Sequence, residues 1–110
     1  MSGPAHADAA HFDDAFAVLA ARARRRNLDR TDRVLALLAA GAPAVGHLLD
    51  PAARDEAMQL CHAVAGSAGT FGEHDLSDAA RRLETALRDG PDDAVTIALD
   101  GLRAAAGRTP

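Results

Sequence analysis

Lysine is missing from this sequence: all 12 basic residues are arginine. A Walker-type phosphate loop requires Gly-Lys-Ser/Thr, so Gly66-Ser67-Ala68-Gly69 is not one. Schiff-base chemistry is excluded on the same ground. Tryptophan and tyrosine are missing too, and aromatics make up only 3% of the chain. β-Branched residues are few, and much of the 48% hydrophobic fraction is alanine. That balance favours helices over strands, so the expected class is all-α. One cysteine, Cys61, rules out an internal disulfide and agrees with a reducing, cytoplasmic location. No apolar run is long enough to span a membrane, and the polar N-terminus is no signal peptide. A net charge of −4 is too mild to imply a polyanionic or polycationic partner.

What is present divides into helical stretches. At 110 residues the chain has room for one domain with one core, expected over residues 8–107 behind a flexible tail of residues 1–7. From Asp8, Phe12, Phe16, Leu19, Ala20 and Ala23 recur at helical spacing. Asp8, Asp13 and Asp14 suit the positive end of that helix. Arg22, Arg24, Arg25, Arg26, Arg30 and Arg33 follow. The rest of the chain is acidic and no reader motif accompanies them, so a solvated helix face is expected rather than a nucleic-acid site. Asn27-Leu28-Asp29 either breaks the run, with Asp29 as a new cap, or is crossed by one long helix. Val34, Leu35, Leu37 and Leu38 carry the stripe to Gly41. Residues 42–50 form a connector, with room for a turn around Val45, Leu48 and Leu49.

Asp50-Pro51 starts the next helix, Asp50 as cap and Pro51 in the first turn. It runs to about Phe71 and closes at Gly72. Another begins near Asp75, with Leu76, Ala79, Ala80, Leu83 and Leu87 inward and Arg81, Arg82, Glu84, Arg88 and Asp89 outward. Gly90-Pro91 separates it from a last helix carrying Val95, Ile97, Ala98, Leu99 and Leu102. Short connections favour antiparallel neighbours. The all-α arrangement expected is therefore an up-down helical bundle.

The informative stretch lies between Leu60 and Gly72. Leu60, Cys61, Val64, Ser67, Ala68 and Phe71 share one face, a stripe that buries. His62, Ala65, Gly66 and Gly69 share another, with Met58 and Gln59 a turn earlier. A glycine inside a helix costs about 0.5–1 kcal/mol relative to alanine. Gly66 stands at i+4 from His62 and opens the approach to the ring. The plainer alternative is that the glycines end the helix and His62 is a core histidine.

Imidazole titrates near neutrality and is nucleophilic when uncharged. Acid–base or hydrolytic chemistry would want an orienting carboxylate, and none on its own helix reaches it: Asp55 is seven residues back, about 10 Å along the axis. Gln59 alone can hydrogen-bond the ring or a group on it from that helix. Carboxylates on other helices, such as Asp78 or Glu84, have no place assigned by spacing. His6, His11, His47, His62 and His74 show no i, i+4 pair, so no metal site is expected. Cys61, on the inner stripe, reads as core filler.

His62-Ala63-Val64-Ala65-Gly66-Ser67-Ala68-Gly69-Thr70-Phe71-Gly72 resembles the signature of histidine-containing phosphotransfer (HPt) domains. In that signature a histidine is followed by a hydrophobic residue at +2, Lys or Arg at +3, Gly at +4, then small residues and a hydrophobic–Gly pair. His62, Val64, Gly66, Phe71 and Gly72 match in register, and Leu76–Leu87, with Leu83-Glu84, resembles the family's next helix. The resemblance implies an up-down antiparallel four-helix bundle with an additional N-terminal helical segment. It also implies that His62 carries a phosphoryl group, on Nε2, between aspartates of receiver domains in a multistep two-component phosphorelay. Such a chain is a phosphocarrier and not an enzyme. It needs no cofactor of its own, since Mg²⁺ sits on the receiver. The implied partners are a response-regulator receiver domain and a hybrid sensor histidine kinase, with the chain a monomer; its short tails and lack of a catalytic ATP-binding region lead to the expectation of a free shuttle. Met58, Gln59, Ala65, Gly66 and Gly69 would form the docking surface. The departure is Ala65, where the family carries Lys or Arg. Gln59, or Arg81 or Arg82 from the next helix, would then stabilise the phosphate. The alternative is a non-phosphorylated helical module that docks receiver domains or kinases. A third reading is an unrelated bundle in which His62 is structural.

Overall fold

The computed structural model describes residues 4–39 and 50–108, with side chains from residue 12 onward. They form four helices and no strand: α1 (Pro4–Ala39), α2 (Pro51–Thr70), α3 (His74–Asp89) and α4 (Asp92–Ala105). The connector expected around Val45, Leu48 and Leu49 lies outside the described residues. α1 packs on α2, α2 on α3 and α3 on α4, with α4 returning only lightly to α1.

α1 is one helix of 36 residues. It starts at Pro4, ahead of the start expected at Asp8, and passes through Asn27-Leu28-Asp29 without a break. A tertiary partner explains why. Asn27 is buried, its amide donates to Ser67 Oγ at 3.1 Å, and its carbonyl oxygen accepts from Arg30 at 3.0 Å. That bond ties Asn27 to α2 from within the helix, and no new cap forms at Asp29. Ala23, Asn27, Thr31, Val34 and Leu38 form the buried stripe of α1.

The additional N-terminal segment is the first part of this same helix. It extends past the other three, and the molecule is 66 Å long but only 24 × 20 Å across. The stripe there is open at its start: Phe12, Phe16 and Leu19 are 70%, 46% and 53% exposed, and burial begins at Ala23. α2 ends at Thr70, and among the described residues none covers them. Phe16 meets only the edge of the bundle, its ring 5.6 Å from that of Phe71.

The starts and stops of the shorter helices follow local chemistry. Asp50 accepts the Ala53 N–H at 3.3 Å, and Pro51 sits in the first turn, where its missing N–H costs nothing. α2 closes through Gly72 at φ +81°, a left-handed conformation that glycine adopts freely. Glu73 N–H then bonds the Ala68 carbonyl at 2.8 Å, sealing the end and aiming α3 back along α2. Gly90 ends α3 in an extended conformation.

The core lies between all four helices. Leu83, Leu87, Leu102, Val34 and Val64 are fully buried, each stabilising by about 1.5–3 kcal/mol. The inner stripe expected of α3 is buried throughout. In α4, Val95 and Leu102 point inward, whereas Ile97 is 71% exposed on the α3/α4 groove. Arg108 joins Asp32 through two hydrogen bonds of 2.9 and 3.0 Å, tying the chain's end to α1. Among the described residues no helix is long and apolar enough to cross a membrane.

Candidate functional site

His62 lies midway along α2, on a solvent-facing row made of Asp55, Gln59, His62, Gly66 and Thr70. Cys61, Val64, Ala65 and Ala68 face the core. The exposed row follows the 4-3-4-4 spacing of one helix edge. Its centre is displaced from the face drawn in the sequence reading.

Ala65 marks the displacement. It is only 3% exposed and belongs to the core. At i+3 it turns toward α3, whose Ser77 donates its hydroxyl to the Ala65 carbonyl at 2.8 Å. Ala65 is therefore not part of an exposed docking surface. Gly69 is half-buried on the same flank. A Cβ built there would stand 3.3 Å from Ser77 Oγ, so this glycine lets α3 approach α2. Met58 is half-buried against the core. Gly66 is different: it is exposed and a Cβ there would meet nothing within 4 Å. Thr70 Oγ1 donates to the Gly66 carbonyl at 2.9 Å, satisfying the backbone of that bare turn.

The imidazole is 80% exposed, yet one edge is held. His62 Nδ1 lies 3.2 Å from Glu84 Oε2 on α3. Arg88, one turn along α3, donates to the same oxygen at 3.1 Å. Glu84 is mostly buried, its side chain 16% exposed, so its position is set by packing. A carboxylate only accepts hydrogen bonds, so the shared proton belongs to Nδ1. In the neutral ring Nε2 is then the unprotonated nitrogen, on a side chain that is largely exposed and one turn from Gly66. The orienting carboxylate absent from the helix of His62 is supplied by its neighbour.

Three of the sequence candidates stand together: His62, Gln59 and Gly66. Gln59 is exposed and makes no hydrogen bond among the described residues. Arg81 and Arg82 are not held at the ring. Both line the groove between α3 and α4, and neither bonds His62 or Glu84. The cation held in the site is Arg88, placed in the sequence reading only as outer cover. The Glu84–Arg88 pair at i, i+4 was legible; its contact with a ring 22 residues away was not.

Cys61, beside His62 in sequence, faces inward. Burial, and then the charge of Glu84, push its thiol up to about 12, so it stays protonated and is no competing nucleophile. The arginine run on α1 is partly committed within the chain. Arg24 meets Glu73 at 2.7 Å and Arg33 meets Glu56 at 2.8 Å. The second pair's hydrogen bond raises the Arg33 guanidinium and lowers the Glu56 carboxyl. Among the described residues, no three His, Cys, Asp or Glu side chains converge as metal ligands would.

A protein-family model, that of the Hpt domain, matches residues 25–108. No match was found among curated proteins or among solved structures.

Proposed function

The chain belongs to the Hpt domain family, whose general role is histidine phosphotransfer in phosphorelays, and from that premise we propose that His62 is the phosphoryl acceptor, through Nε2. The observation that carries this reading is the asymmetry of the ring. Nδ1 is held by Glu84 at 3.2 Å, while the opposite edge faces open solvent next to a glycine with nothing over it.

The chemistry follows from that geometry. The Nε2 lone pair attacks the phosphorus of an acyl phosphate on a partner aspartate. An N–P bond forms, the P–O bond to the aspartate breaks, and its electron pair leaves with the carboxylate. The ring keeps its proton on Nδ1 and becomes cationic, which Glu84 opposes with its negative charge. Transfer onward reverses each step: a carboxylate attacks phosphorus and the N–P pair returns to Nε2. The partner class is a response-regulator receiver domain, with a hybrid sensor histidine kinase upstream. The Mg²⁺ that assists transfer belongs to the receiver. Asp55, Gln59, Gly66 and Thr70 form the surface the receiver covers, with Met58 and Gly69 at its edge. The domain works as a phosphocarrier in the cytoplasm.

The test is phosphotransfer from a phosphorylated receiver domain and Mg²⁺ to the wild type and to His62→Gln. Acid-labile, base-stable label on the wild type alone is expected. Binding of receivers without label on either protein would overturn the acceptor role and leave a docking module.

A further inference from the structure

The phosphoryl group brings roughly two negative charges to the ring, and the residue three places after His62 does not meet them. Ala65 is 3% exposed and directed at α3, so the cation must come from elsewhere. We propose that Arg88 is that cation: it binds the phosphoryl oxygens on His62 and replaces, from α3, the side chain that the motif resemblance puts at position 65. This rests on His62 being the acceptor.

Arg88 Nη2 and His62 Nδ1 touch the same oxygen of Glu84, at 3.1 and 3.2 Å, so Arg88 is tethered on the Nδ1 side of the ring and must swing past Glu84 to meet a group on Nε2. Glu84 is fixed by burial, but Arg88 is 53% exposed and free to swing about that tether. A guanidinium has five donors in a planar fork. Only one of its nitrogens is engaged with Glu84, so the others can meet phosphoryl oxygens, where a charge-assisted pair is strong. Other arginines are less well placed. Arg54 donates to the Leu87 carbonyl at 2.7 Å, and Arg81 and Arg82 line the α3/α4 groove. Arg88 moves no proton and breaks no bond. It stabilises charge on the phosphoryl group during and after transfer.

Phosphoramidate, a small donor that phosphorylates histidine without a receiver, isolates this effect from docking. Label on His62 would be followed in the wild type, Arg88→Gln, Arg88→Lys and Arg81→Gln. Arg88→Gln is expected to slow labelling about tenfold or more, the equivalent of losing one charge-assisted hydrogen bond. Arg88→Lys is expected to recover most of it, which lost packing alone would not explain. Should Arg88→Gln lower thermal stability, the side-chain Nε–H resonance of Arg88 in the wild type replaces it: the signal should shift on phosphorylation. Unchanged labelling of Arg88→Gln, a static Arg88 resonance, or slowing by Arg81→Gln instead would overturn the role of Arg88 while leaving label on His62. No label on wild-type His62 would overturn the acceptor reading, and this inference with it.

Discussion

The two flanks of α2 around His62 are built from the same small residues and behave as opposites. Toward α3 lie Ala65 and Gly69, buried and half-buried, where small side chains let two helices close on each other. Toward solvent lie Gln59, Gly66 and Thr70, where the missing side chain of Gly66 leaves open space. Gly66 and Gly69 are three residues apart. One clears room for the chain's own α3, the other for a molecule outside it. A glycine in a helix is thus a statement about approach, and only the neighbouring helix says whose approach.

The comparison breaks most directly at Gly69. Ser77 Oγ cannot move aside freely, because it is bonded to the Ala65 carbonyl. Gly69→Leu is expected to lower unfolding free energy by about 1–3 kcal/mol through overpacking, measured by denaturant titration. An unchanged midpoint would mean that the α2–α3 approach is looser than the geometry says.

Cys61 sharpens the buried side through pH. Its ordinary value is 9.0 and in the fold it is pushed up to about 12. The folded state therefore favours the protonated thiol. Below pH 9 that preference costs nothing. Between about 9 and 12 the unfolded chain releases a proton and the fold does not, so stability falls as pH rises, at about 1.4 kcal/mol per pH unit or less. Stability measured from pH 8 to 11 should show this slope in the wild type and not in Cys61→Ala.

The smallest change in stability is expected on the open side. Gly66→Leu meets nothing, and a better helix former there should leave stability equal or raise it by about 0.5–1 kcal/mol. Label from a phosphorylated receiver should nevertheless be lost, and label from phosphoramidate kept. If receiver transfer survives in Gly66→Leu, the open row is not the docking surface.

Much of this was legible before any coordinates. Asp50-Pro51 and Gly72 announce the ends of α2, because capping and left-handed turns depend on residues within a few positions. The inner stripe of α3 is likewise a matter of period. The N-terminal stripe shows the limit of period, since Phe12, Phe16 and Leu19 have the same spacing as the buried part of α1 and yet are exposed among the described residues. Ala65 misled because its place depends on a second helix. A wheel gives angles around one helix and not the direction from which its neighbour arrives.

The sequence by itself determined an all-α chain, the limits of its shorter helices, and a single histidine set against glycine in an Hpt-like motif. These are local properties of propensity, capping and period. Only the tertiary structure decided that Glu84 holds Nδ1, that Arg88 and not Arg81 or Arg82 bonds the carboxylate that holds the ring, and that Ala65 belongs to the core. Each of those depends on the rotation and register of α3 against α2, which is set by packing between residues far apart in the chain.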